Sequence, residues 1–168
     1  MTGLHKIAMG LVIVVVDAYF GELDAVPDVL GWILVLFGLV DLRGRVTSLC
    51  SLVGLAIAAA AVSILLLWPD LLASASESTL WALSLPQIAF SILLCASAAE
   101  LCVPQEAGRA RQFGWLRWVF IVLAFAPAVL YGAGVDVLEV PIAVTTVAAN
   151  VALIYLLFRL AGRPAATR

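Results

Sequence analysis

The sequence predicts an all-α integral membrane protein, a bundle of six transmembrane helices in three antiparallel hairpins with both termini in the cytoplasm. Three observations lead to this prediction. The 168 residues are 65% hydrophobic and 12% charged, whereas a soluble domain carries about 25% charged residues. Six apolar segments approach the length of about 20 residues that crosses a bilayer as a helix. All 9 Lys and Arg residues fall on one side of the resulting threading, and that side is cytoplasmic because cytoplasmic loops collect positive charge.

The six predicted helices are joined by short connections, so each helix is expected to lie antiparallel to its neighbour in the chain. Connections on the predicted outer side carry acids and no bases. The whole chain, 1–168, is expected to form one domain. The predicted helices span residues 4–20, 27–42, 47–68, 80–102, 113–133 and 140–160.

The first segment is expected to stay in the protein as a helix rather than to be cleaved as a signal peptide. It follows Lys6, but it ends in Asp17, Tyr19 and Phe20 instead of the small residues of a cleavage site. Asp17 is the acid placed inside a predicted helix. Because an ionisable group in the hydrocarbon costs at least a few kcal/mol, its side chain should face protein, water or the outer headgroups.

The second segment opens with a helix start. Pro27 suits the first turn because its missing N–H would have no partner there. Asp28 lies at the positive end of the helix dipole, a contribution of about 0.3–1 kcal/mol, and Asp24 can cap from the preceding turn. Gly31 and Gly38 are seven residues apart, share one face and allow a close helix approach. Capping and packing explain this stretch, and a role in binding is the alternative.

The same stretch resembles a D-x-x-P-D-x-x-G-[WY] motif at the start of the second helix in small multi-spanning bacterial membrane proteins that have no characterised activity. The resemblance implies a shared fold and supplies no function. It covers this short stretch near the second helix alone. The matching positions are Asp24, Pro27, Asp28, Gly31 and Trp32.

The last four segments contain small and polar residues among apolar ones. Gly54 and Ala61 in the third helix predict a close-packing face. Gln87 in the fourth helix and Asn150 in the sixth are the polar groups placed within the membrane. Hydrogen bonding across a helix interface is the expected role of Asn150, and contact with a substrate is the alternative. Pro127 is expected to kink the fifth helix.

Four carboxylates cluster around the first outer connection. They are Asp17, Glu22, Asp24 and Asp28. Together they predict an acidic mouth that attracts Ca²⁺, Mg²⁺ or protons, because hard cations take oxygen ligands and clustered like charges relieve their repulsion by binding a cation or a proton. Simple capping or contact with headgroups is the alternative.

Catalytic motifs are missing from the sequence: its 1 histidine, His5, lies near the N-terminus, and no metal-protease, hydrolase or phosphate-loop motif occurs. We therefore expect no enzyme activity, no cofactor and no metal centre. The basic residues are explained by their role in membrane orientation and by contact with anionic lipid headgroups, so no nucleic-acid partner is expected. Cys50, Cys95 and Cys102 form no CxxC pair and predict no disulfide.

The function predicted from these observations is that of a small transporter or channel component with an acidic outer mouth. The abundance of Arg over Lys is typical of a high-GC bacterial genome, which suggests a bacterial inner-membrane protein. Two alternatives stay open: a non-transporting accessory or assembly subunit of a larger membrane complex, and a substrate-capturing subunit of an uptake system. The bilayer is the expected partner, with a homo-oligomer or a larger complex as further alternatives.

Overall fold

The computed structural model describes residues 2–17, 27–67, 76–102, 107–133 and 139–162. Within these ranges the chain forms six α-helices and no β-strand, which confirms the all-α prediction. The helices are α1 (Gly3–Asp17), α2 (Pro27–Asp41), α3 (Leu49–Leu66), α4 (Glu77–Glu100), α5 (Ala107–Ala133) and α6 (Glu139–Ala161).

In the described part of the chain, four helices are long and apolar enough to cross a membrane. They contain the stretches Leu49–Leu66, Ser78–Glu100, Ala107–Leu130 and Val140–Ala161. Helices α1 and α2 have 15 residues each and reach about 22 Å at 1.5 Å per residue, which is less than the roughly 30 Å of a hydrocarbon core. The lengths of the described helices therefore support four spans, and the six-span threading belongs to the proposal below.

The outside of the bundle exposes large apolar side chains. Phe37 is 60% exposed, Phe125 is 66% exposed and Val144 is 62% exposed, each on a different helix. Many large apolar side chains exposed in this way mark a membrane or protein contact rather than a face solvated by water. The surface and the four long helices together suggest a membrane-embedded protein.

The helices form a closed ring in chain order. Each helix packs against the next one, and α6 packs against α1 as well as against α5. Inside the ring, Trp32 of α2 and Phe90 of α4 are completely buried. Their rings meet edge to face, with centroids 5.3 Å apart and planes at 85°, an arrangement that contributes about 0.5–1.5 kcal/mol beyond the buried area. This contact joins two helices that are not neighbours in the chain.

Helices α1 and α2 touch through two pairs of glycines. A Cβ atom on Gly10 would lie 2.5 Å from the carbonyl oxygen of Gly31, and one on Gly3 would lie 2.6 Å from that of Gly38. Since these distances are shorter than real Cβ contacts, only glycine permits this approach of the two backbones. The close helix approach predicted from Gly31 and Gly38 is confirmed, and the order of the pairs makes α1 and α2 antiparallel.

One end of the ring gathers polar contacts, and we call it the basic end. Lys6 of α1 forms an ion pair with Asp41 of α2, with 2.7 Å between Nζ and Oδ2. Ser48 shares a hydrogen bond with Ser97 of α4, with 2.6 Å between the two hydroxyl oxygens. Several basic residues lie near this end. They are Lys6 of α1, Arg43 and Arg45 after α2, Arg109 and Arg111 in the first turns of α5, and Arg159 in the last turn of α6.

Two predicted features of the helices were wrong. Helix α5 begins at Ala107 rather than at 113, because Arg, Ala and Gln are good helix formers and headgroups or water can solvate Arg109 and Arg111 without ending the helix. The predicted close-packing face of α3 is also wrong. A Cβ atom on Gly54 would meet no other atom within 4 Å, and α3 instead buries Leu52, Ala56, Ala59 and Ser63.

Candidate ligand site

Polar side chains of α4 and α6 line one cavity in the described part of the protein. The cavity has a volume of about 200 Å³ and lies between α4, α5 and α6. Its polar wall includes Gln87 and Ser91 of α4 and Thr146 and Asn150 of α6. Most of the remaining wall is apolar or aromatic and consists of Trp81, Ile88, Phe120, Leu123, Pro127 and Ile142.

A second cavity, of about 300 Å³, lies beside the first and reaches α1. Gln87, Thr146 and Asn150 line this cavity too, opposite Val14 and Val15 of α1. Because these three polar residues line both cavities, they form the boundary between them. Gln87 and Asn150 lie near the midpoints of the stretches Ser78–Glu100 and Val140–Ala161, so the boundary lies at mid-depth of the long helices.

The hydroxyl and amide groups at this boundary bond mainly to their own helices. Asn150 donates from Nδ2 to the Thr146 carbonyl at 2.8 Å, and Thr146 donates from Oγ1 to the Ile142 carbonyl at 2.8 Å. Ser91 donates to the Gln87 carbonyl at 3.1 Å. Such bonds to the preceding turn are the usual solution for a polar residue in the middle of a helix.

The predicted hydrogen bond of Asn150 across a helix interface is therefore wrong within the described part of the chain. Its amide N–H serves α6 itself, because the carbonyl of the preceding turn lies within reach of a polar side chain in a helix. Among the described residues, the side-chain oxygen of Asn150 and the side-chain amide of Gln87 have no other hydrogen-bond partner, and both residues line the cavities. The alternative role of Asn150, contact with a substrate, stays a prediction.

Trp81 of α4 lines the first cavity and forms a hydrogen bond to α5. Its indole Nε1 donates to the Ala124 carbonyl at 3.1 Å. Pro127 lies inside α5, and a proline within a helix loosens the preceding turn because it has no N–H to donate and its ring crowds that turn. The indole thus anchors α4 to the turn of α5 that Pro127 loosens.

The described residues that line the cavities include no member of the predicted acidic cluster. Glu22, Asp24 and the side chain of Asp17 lie outside the described residues, and Asp28 is half-buried in the first turn of α2. The acidic mouth therefore stays a prediction. The start of α2 at Pro27 is confirmed.

Trp32 belongs to the motif at the start of α2, and it is completely buried in the core. Its indole Nε1 has no hydrogen-bond acceptor among the described residues. An unpartnered buried donor costs roughly 1–3 kcal/mol. The indole therefore acts mainly through its volume and its contact with Phe90.

The sequence singles out Gln87 and Asn150 as separate polar residues but does not predict that they meet. The role of the glycines of α1 was also missed, although Gly3 and Gly10 repeat the seven-residue spacing of Gly31 and Gly38. That shared spacing was the available signal. No disulfide joins the three cysteines, all of which lie in the described part of the chain: Cys50 is exposed, Cys95 is buried and Cys102 is half-buried.

The chain matches no protein-family model, no curated protein and no solved structure.

Proposed function

We propose that this chain is a six-span bacterial inner-membrane protein with both ends in the cytoplasm, and that it works as a small transporter or channel component whose solute path passes through the two cavities. The observation that carries the proposal is that Gln87, Thr146 and Asn150 line both cavities at mid-depth. Polar groups at mid-depth of the hydrocarbon are costly and mark binding sites or solute paths in membrane proteins.

The proposed threading follows from the placement of charge. Lys6, Arg43, Arg45 and Arg159 lie at the basic end of the ring, and cytoplasmic ends of membrane helices collect Lys and Arg. Helices α1 and α2 cross as a pair: their glycine contacts fix them to each other, and local thinning of the bilayer accommodates short spans at a modest cost.

The threading is tested with single cysteines in a protein from which Cys50, Cys95 and Cys102 have been replaced by Ala. One variant carries Ser74→Cys, between α3 and α4, and the other carries Gly108→Cys, at the start of α5. An impermeant thiol reagent applied to intact cells should label the first variant and spare the second. Labelling of the second variant alone would reverse the proposed orientation.

Solute conduction is tested in proteoliposomes. The flux of glycerol is followed by stopped-flow light scattering, and the flux of K⁺ by a voltage-driven indicator. Asn150→Leu and Gln87→Leu should each abolish most of the flux that the wild-type protein supports. Thr145→Val is the matched control, because Thr145 makes the same kind of bond to its own helix, to the Pro141 carbonyl at 2.7 Å, but lies exposed and lines neither cavity.

The absence of flux for both solutes would contradict a path for small polyols or K⁺. Co-purification of a stoichiometric protein partner from native membranes in mild detergent would then favour the accessory or substrate-capturing subunit. The same purification yields a homo-oligomer or a monomer if the chain acts without other proteins.

A further inference from the structure

We infer that the two cavities form one binding site for a small uncharged molecule that carries an O–H or N–H donor on an apolar, single-ring frame. The inference names the solute class of the path proposed above and rests on that proposal for its biological meaning. Binding is nevertheless measurable without transport, so the two can fail separately.

The walls of the cavities offer no counter-charge to an ion. None of the described residues that line either cavity is ionisable. An ion taken from water into such a site would lose its hydration without gaining a counter-charge, which costs several kcal/mol even after relaxation. The cavities therefore favour a neutral ligand, in contrast to the cations expected at the acidic mouth.

The polar groups of the cavities have more free acceptors than free donors. The hydroxyls of Ser84, Ser91 and Thr146 donate their protons to carbonyls of their own helices, at 2.7, 3.1 and 2.8 Å. Asn150 donates one amide proton in the same way. What these groups still offer to the cavities is mostly oxygen lone pairs, together with the amide of Gln87. A ligand that donates hydrogen bonds fits this surplus of acceptors.

The size and shape of the cavities suit a single ring. Their volumes are about 200 and 300 Å³, and an apolar cavity of about 150 Å³ admits benzene. A single-ring molecule with a small substituent therefore fits either cavity. Trp81, Phe120 and Pro127 supply the flat apolar wall against which such a ring can pack.

The experiment measures binding by fluorine NMR with the protein in lipid nanodiscs, and empty nanodiscs correct for partition into lipid. The probe is para-fluorophenol, which is uncharged at neutral pH and donates one O–H. Its methyl ether, para-fluoroanisole, keeps the ring and loses the donor. Para-fluorobenzoate and para-fluorobenzylammonium carry a negative and a positive charge. We expect protein-dependent binding of the phenol that is about three- to tenfold tighter than that of the ether, the range of one hydrogen bond, and no binding of either ion.

Variants locate the site. Thr146→Val preserves shape while it removes one acceptor, and it should weaken the binding of the phenol severalfold and leave the binding of the ether unchanged. Asn150→Leu should weaken the phenol further, and Thr145→Val, on the exposed face of α6, should change neither probe. A folded Thr146→Val protein with wild-type selectivity for the phenol would overturn the inference.

Two other outcomes would also overturn it: equal affinity for the phenol and the ether, which indicates an apolar void alone, and tighter binding of either ion. Selective binding of the phenol without any glycerol or K⁺ flux would uphold this inference and contradict a path for those two solutes. If Asn150→Leu abolishes a flux of K⁺ and the protein does not bind the phenol, the transport proposal is upheld and this inference is contradicted.

Discussion

Substitution of Gly10 by alanine probes the close approach of the α1 and α2 backbones. The new Cβ atom would lie 2.5 Å from the Gly31 carbonyl oxygen and 2.8 Å from a methyl carbon of Val35. Ordinary contact begins near 3.4 Å, so α1 and α2 must separate by about 1 Å in a tightly packed interior. Overpacking of this kind costs about 1–3 kcal/mol, while alanine gains about 1 kcal/mol of helix propensity over glycine.

Gly54→Ala in α3 is the matched control, because nothing lies within 4 Å of its new Cβ atom and only the propensity gain applies. Free energies of unfolding are measured by titration with SDS in mixed micelles. Gly10→Ala should be about 1–3 kcal/mol less stable than Gly54→Ala. Gly31→Ala added to Gly10→Ala should cost less than it does alone, because the helices have already separated. Equal stabilities of Gly10→Ala and Gly54→Ala would refute the close packing of α1 and α2.

Three further predictions concern single contacts. The side chains of the Lys6–Asp41 ion pair are 30% and 38% exposed. A double-mutant cycle with Lys6→Met and Asp41→Asn should therefore give a coupling energy of about 0.2–1 kcal/mol that decreases in high salt. A larger coupling energy that does not depend on salt would contradict this prediction. Trp32→Ala should lower the free energy of unfolding by about 3–5 kcal/mol. Trp32→Phe should lower it much less, because the lost N–H has no acceptor among the described residues. Comparable losses for the two variants would show that the N–H matters. Asp28→Asn should lower the melting temperature modestly, since about 0.3–1 kcal/mol of interaction with the helix dipole is lost. It should also weaken any stabilisation by Ca²⁺ or Mg²⁺. A wild-type melting temperature that does not change with these ions or with pH would refute the acidic mouth.

Local features of the helices could be predicted because their causes are local. Pro27 begins α2 since a proline N–H is not needed in a first turn, and the structure places it there. Gly31 and Gly38 indicated a close approach by their spacing alone. Their partners in α1 were equally visible, since Gly3 and Gly10 have the same spacing. Two matching repeats in adjacent segments would have predicted the antiparallel glycine contact.

Tertiary features were harder because both faces of a membrane helix are apolar. Gly54 lies in a stripe of small residues, yet its face of α3 is open, and small residues alone do not separate a packed face from a lipid-facing one. Likewise, Gln87 and Asn150 stood out by polarity, but their placement on the walls of the same two cavities depends on how α4, α5 and α6 pack. The sequence pattern contains no sign of that packing.

The proposed solute path is tested most directly by whether water reaches the boundary between the two cavities. In the protein without Cys50, Cys95 and Cys102, Thr146→Cys and Thr145→Cys are compared in sealed membrane vesicles of both orientations. A small water-soluble methanethiosulfonate reagent modifies thiolates, which form where water is present. We predict rapid modification at 146 and slow modification at 145, which faces away from the cavities. Equal rates at both positions, or faster modification at 145, would contradict a solute path through the helix ring.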